Sequence, residues 1–168
     1  MATRNPVPRK KLTLKALERS ALFQLERRAL TTAQLRRMLA RKTARSLPCD
    51  DAPAWIDDVI ERCTRSGLLD DARVAAAKVA SMRTAGKSTR AIAVKLRQKG
   101  VDATTATTAL ANDDGDDLAA AMAYVKKRRL LGRDKQKALA ALCRQGFTFS
   151  VAKRALEQSA QAATSTAE

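Results

Sequence analysis

The sequence predicts an all-α protein made of tandem three-helix repeats, three modules in an elongated array. Apolar residues make up 45% of the 168 residues but aromatics only 3%, so Ala, Leu, Ile and Val must fill the interior, and Ala and Leu favour helices. Apolar residues recur at three- and four-residue steps, as in Leu14, Leu17, Ala21, Leu22 and Leu25, and alternating strand-like runs are absent. A pattern of helix caps, glycines and leucines also returns along the chain.

Residues 1–11 are expected to form a basic, disordered head. The first module, 12–66, starts with the helix of Leu14–Leu25. Thr31 opens a second helix as N-cap, its side-chain oxygen meeting free amides. A third, Pro53–Arg65, turns Ile56, Val59, Ile60 and Cys63 inward. The loop Thr43–Ala52, with Pro48 and two aspartates, reads as an insertion. The second module, 67–112, has a helix around Ala72–Met82, then one opened by Ser88 and closed at Gly100, where a glycine suits a left-handed cap. The third, 113–158, has a helix around Leu118–Leu131, then one opened by Asp134 and closed at Gly146. The Ala/Ser/Thr/Gln tail, 159–168, is expected to fray.

The repeat fixes these assignments. Ser88 lies 57 residues after Thr31, and Asp134 lies 46 after Ser88. At those steps Leu39, Leu96 and Leu142 coincide, as do Leu35, Ile92 and Ala138, and Lys42 falls on Lys99. Gly100-Val101-Asp102 matches Gly146-Phe147-Thr148, and Ala106 and Leu110 match Ala152 and Leu156. Leucines alone could agree by chance in such a chain; caps, glycines and apolar positions together do not. Between the last two modules, Ala111–Asp116 reads as a hinge, its aspartates also suiting the start of the next helix.

Formal charge is +16, a field that favours polyanions, either nucleic acid or an acidic protein surface. The N-terminal fifty residues hold most of the excess. Three basic clusters stand out: Arg36, Arg37, Arg41 and Lys42, opposite Leu35 and Leu39; Lys95, Arg97 and Lys99 on the matching helix; and Lys126, Lys127, Arg128, Arg129 and Arg133, ending the first helix of the third module. Few aromatics interleave them, so contacts with phosphates or carboxylates are expected rather than base stacking.

Catalytic and metal chemistry lacks its residues. There is no histidine, which removes the commonest general base and imidazole ligands. The three cysteines, Cys49, Cys63 and Cys143, have no zinc-like spacing and read as incidental or buried thiols. Asp57-Asp58 and Asp70-Asp71 are adjacent, hence divergent on a helix, and read as solvated faces or caps. Gly86-Lys87-Ser88-Thr89 mimics a phosphate loop, but Ser81 occupies the place of its first glycine and a helix precedes it. It reads as an interhelix turn. No enzyme, cofactor or metal is expected. No apolar run approaches the length of a membrane span, and the first residues lack a secretory h-region; a soluble, cytoplasmic monomer is expected.

Gly67-Leu68-Leu69-Asp70-Asp71-Ala72-Arg73-Val74-Ala75 resembles the Gly-Leu/Tyr-Leu-(Asp/Asn)-Asp-x-Arg-Phe-Ala signature of the RecX family of RecA regulators. Gly86, Arg90 and Ile92, followed by Leu96-Arg97-Gln98-Lys99-Gly100-Val101, are similar to that family's next motif, and Arg144-Gln145-Gly146-Phe147 resembles its third. Val74 stands where Phe is usual, Ala85 where Lys is usual, and Lys87-Ser88 where an aromatic-Gly pair is usual. The resemblance covers roughly residues 14–157. It implies a modular, curved helical protein that lodges in the groove of a RecA filament on DNA and inhibits strand exchange, ATP turnover and repressor cleavage. A helix-turn-helix DNA-binding regulator is the alternative from composition and helix pattern.

Overall fold

The computed structural model describes residues 11–113 and 115–165, and all their regular structure is helical. The helices follow in threes: α1 (Leu14–Arg27), α2 (Thr32–Ala44) and α3 (Ala52–Arg65); α4 (Asp71–Thr84), α5 (Thr89–Lys99) and α6 (Ala103–Ala111); α7 (Asp117–Arg128), α8 (Lys135–Arg144) and α9 (Phe149–Ser165). A 3₁₀ turn, Leu130–Gly132, joins α7 to α8. Residues 1–10 of the expected head lie outside the described residues. At the other end α9 runs to Ser165, through most of the stretch expected to fray.

The caps explain where the helices start. Thr31, Ser88 and Asp134 each accept the amide three residues on, from Gln34, Ala91 and Lys137. Gln34 answers Thr31 with its own side chain, completing a capping box. Thr13, Asp102 and Thr148 cap α1, α6 and α9 in the same way. At the other ends Gly100 (φ +80°) and Gly146 (φ +95°) adopt the left-handed conformation expected of them.

The chain divides into two compact units, Met1–Val74 and Ala75–Glu168. In the first, Leu17, Ala21, Leu35 and Leu39 pack against Ile56, Val59, Ile60 and Cys63 of α3; burying each large aliphatic side chain contributes roughly 1.5–3 kcal/mol. Leu22, expected on the same inner face, is instead exposed. It lies one position round from Ala21, which takes the buried place. The second unit holds two cores. One gathers Ala75, Val79, Ile92, Leu96 and Val101; the other gathers Ala121, Val125, Ala138, Leu142, Phe147, Ala152 and Leu156. The repeat-matched leucines Leu39, Leu96 and Leu142 are thus all buried.

Two polar joints recur. The Asp71 carboxylate accepts the Thr32 amide (2.7 Å) and hydroxyl (3.1 Å), so the first residue of α4 holds the first turn of α2. Asp117, first in α7, does the same for α5 through the Thr89 amide and hydroxyl, both at 2.8 Å. The second joint carries one addition, Arg83. Its guanidinium pairs with Asp113 (2.5 Å) and Asp117 (2.6 Å), and donates to the Thr89 hydroxyl (2.6 Å) and the Lys87 carbonyl (3.3 Å).

That cluster corrects the expectation of a hinge at Ala111–Asp116. The segment lies inside the second unit, with Asp113 bound to Arg83 and Gly115 packed so closely over the guanidinium that an added Cβ would lie 2.9 Å from Nε. Asp113 acts there as an anchor. Burial raises the Asp117 pKa, but its bonds from Arg83 and Thr89 outweigh that and hold the carboxyl below its ordinary value.

Candidate functional site

The surfaces bearing the expected cations are the candidate sites. On α2, Leu35 and Leu39 face the core, which turns Arg36, Arg37 and Arg41 to the surface. Arg36 pairs with Asp57 of α3 (2.5 Å), both half exposed, and the Arg37 Nε donates to the Ala33 carbonyl (3.2 Å). Such surface pairs contribute about 0–1 kcal/mol. Lys42 departs from the expected face: it is half-buried, its Nζ donating to the Ala16 carbonyl of α1 (2.8 Å). Its long aliphatic stem lets it reach back across the core edge.

On α5, Ile92 and Leu96 face inward, leaving Lys95 and Arg97 exposed. The Lys95 Nζ donates to the Gln98 side-chain Oε1 at 3.5 Å. Lys99, the repeat partner of Lys42, is half-buried as well.

The third cluster is the densest. Lys126, Lys127 and Arg128 form the last turn of α7, a placement that suits the helix dipole. Arg128 lies over the Tyr124 ring at 5.8 Å. Arg129 lies just past the helix at φ +50°, and Arg133 follows the 3₁₀ turn. All five are exposed. Sequence reasoning missed that Lys135 and Lys137 extend this cluster. The available signal was the acid count: between Leu118 and Leu156 stand ten Lys/Arg and one acid, Asp134.

The motif residues around Gly67–Ala75 and Gly86–Val101 are chiefly structural. Gly67 (φ +71°) ends α3, with the Leu68 and Leu69 amides both returning to the Cys63 carbonyl. Leu69 is buried and Leu68 exposed. Asp70 caps α4 through the Arg73 amide (2.8 Å), and Asp71 grips Thr32. Gly86 (φ +71°) ends α4 against Tyr124, and Ser88 caps α5, so Gly86–Thr89 is an interhelix turn. Ile92 lies in the core and Gly100 ends α5, whereas Arg73 and Arg90 point to solvent. Asp57 and Asp58 serve as partners of Arg36 and Arg62. Cys63 is buried, Cys49 partly and Cys143 not. Among the described residues, no group of three His, Cys, Asp or Glu could hold a metal ion, and no helix is long and apolar enough to cross a membrane.

Comparison with known proteins agrees with this architecture. Residues 70–110, the α4–α6 triplet, match the model of the RecX second three-helix domain. The regulatory protein RecX of Myxococcus xanthus is 35% identical over 170 residues, covering 92% of this chain and 91% of that protein. That of Agrobacterium fabrum is 35% identical over 156 residues, covering 86% and 83%. The crystal structure of RecX from Lactobacillus salivarius superimposes with a TM-score of 0.68 at 18% identity, over 88% of this chain and 97% of that one. A three-by-three helical fold of the same kind and relatives matched almost end to end, all named as regulators, lead to one assignment. This chain belongs to the RecX family of regulatory proteins.

Proposed function

We propose that this chain works as a non-enzymatic regulator in the cytoplasm, binding RecA filaments on DNA as a monomer and inhibiting their recombinase, ATPase and coprotease activities. The observation that carries the reading is the 35% identity to a RecX protein across 92% of this chain. Exposed cations on successive repeat-equivalent helices support it, since α2 and α5 each bury leucine or isoleucine on one side and present arginine or lysine on the other. A module array that follows a filament groove gains from each contact by raising the effective concentration of the next. The domain limits 12–66, 67–112 and 113–158 are the binding modules of this reading. Contact with DNA itself is weak and directed at phosphates, because charge without base readout gives little sequence preference.

The test is DNA-stimulated ATP hydrolysis by RecA with this chain titrated in. Inhibition below equimolar protein is expected; unchanged rates at equimolar, folded protein would refute the reading. A preference above about a hundredfold for one duplex sequence would instead identify a helix-turn-helix transcription regulator.

A further inference from the structure

The cations of this chain are compensated unevenly. In the α1–α3 triplet, Arg36 pairs with Asp57, Arg62 with Glu18 and Asp58, and Arg65 with Glu61. Between Lys126 and Lys137 there are seven cations and one acid, Asp134, whose carboxylate is engaged by the Lys137 amide. None of those seven has an ion-pair partner among the described residues. A count over the C-terminal third of the sequence hides this, because its other acids lie outside Leu118–Leu156.

Beside these cations run two apolar grooves separated by Leu131, a side chain left 45% exposed. One, of about 220 Å³, is floored by Leu130, Ala138 and Leu156 and edged by Arg133 and Lys135. Glu157 on its wall faces Lys153 at 4.0 Å. The other, of about 510 Å³, is lined by Met122, Val125 and the exposed Ala162 and edged by Lys126. Arg129 adds a backbone observation. It is the only non-glycine at positive φ among the described residues, while α3, α4, α5 and α8 all end on glycine in that conformation. A cation is held here at a strained position, as happens where a side chain is needed for contact.

We propose that this face, centred on Leu131, docks an acidic amphipathic segment of a partner protein. Apolar side chains enter the groove on either side of Leu131, and carboxylates meet Lys126, Arg133 and Lys135. Grooves that accept an amphipathic helix combine these two features, an apolar floor and a charged edge. Nucleic acid would use the cations but leave the apolar floors empty. Tyr124, the ring nearest the cluster, lies beneath Arg128 and offers no open stacking platform. The inference goes beyond the RecA reading and does not need it, so the test contains no RecA and the two can fail separately.

The probe is a fluorescein-labelled peptide with leucines on one helical face and glutamates on the other, read by fluorescence anisotropy against the full chain. Its controls are a scrambled peptide of the same composition and a single-stranded DNA oligonucleotide. The amphipathic peptide is expected to bind at least about tenfold tighter than the scrambled one. Leu131→Ala should weaken it about fivefold or more while leaving DNA affinity unchanged. Lys126→Gln with Arg133→Gln should weaken the peptide and flatten its salt dependence. Circular dichroism confirms that the variants, all at exposed positions, stay folded. Equal affinity for the two peptides, or no response to Leu131→Ala, overturns the proposal. So does DNA affinity that falls in the double variant while peptide affinity does not, which marks a phosphate-binding surface.

Discussion

Replacing Arg83 by Met tests whether the α6–α7 connection is anchored. The Arg83 side chain is 11% exposed, and its partners Asp113 and Asp117 are 13% and 26% exposed. Met keeps the stem and removes the charge, leaving two adjacent carboxylates near the Thr89 hydroxyl with no cation. Breaking a buried pair from one side costs about 3–5 kcal/mol. Because Asp117 sits at the edge and water can reach it, the lower end, about 3 kcal/mol, is expected. With a urea slope of about 1.5 kcal/mol/M, the unfolding midpoint should fall by about 2 M. Asp113→Asn alone should cost less, and the double variant less than the sum, with a coupling of about 1–3 kcal/mol. Hydrogen exchange supplies a local readout: amides of residues 111–117 should exchange at least about tenfold faster in the Met variant while the α8 and α9 cores stay protected. A loss under about 0.5 kcal/mol with unchanged exchange would refute the anchoring argument and restore the segment as a hinge.

Four further outcomes follow from the same geometry. The depressed Asp117 pKa means that its stabilisation is complete above the ordinary carboxyl value of 3.8 and is lost as pH falls through the lower folded value; acid titration of stability should be shallower in Asp117→Asn than in the parent. Leu96→Ala should cost roughly 2–5 kcal/mol, whereas exposed Arg97→Gln should stay within about 0.5 kcal/mol, both read by urea unfolding. Arg129→Gly should stabilise the fold by up to about 1 kcal/mol by relieving the left-handed backbone; a lower melting temperature would show that the arginine side chain contributes more than its strain costs. Thiol labelling should proceed in the order Cys143, Cys49, Cys63, since burial, and then Glu18, push the Cys63 thiol upward; modification of Cys63 before global unfolding would contradict its place in the core.

Much of the fold was legible because its signals are local. A cap needs one side-chain oxygen and an amide three residues away, so Thr31, Ser88 and Asp134 could be read without knowing any partner. The glycine ends and the buried leucines follow the same logic, and the repeat tied them together. Arg83 was invisible for the opposite reason: its partners lie 30 and 34 residues away, and the match between modules was made on apolar positions and caps. Lys42 looked like the arginines beside it, since sequence does not show which long cation folds back onto a carbonyl. The charge reading singled out the run from Lys126 to Arg133 but not its lack of acids. Counting over long segments placed the excess at the N-terminus, while ion pairs neutralise part of that region and the α7–α8 stretch stands uncompensated.

The aspartate joints also bear on how the protein comes into being. Thr32 is emitted from the ribosome 39 residues before Asp71, and Thr89 emerges 28 residues before Asp117. During synthesis Thr31 and Ser88 can cap α2 and α5 at once, while the Thr32 and Thr89 amides wait for the opening residue of the next triplet. α8 has Lys135 at the position of Thr32 and Thr89, and Asp134 caps it as Thr31 and Ser88 cap α2 and α5. A premature stop therefore removes a hydrogen-bond partner from a helix upstream of it. A chain ending before Asp71 should show faster exchange at the Thr32 amide, and one ending before Asp117 at the Thr89 amide, each in a helix that the truncated product still contains.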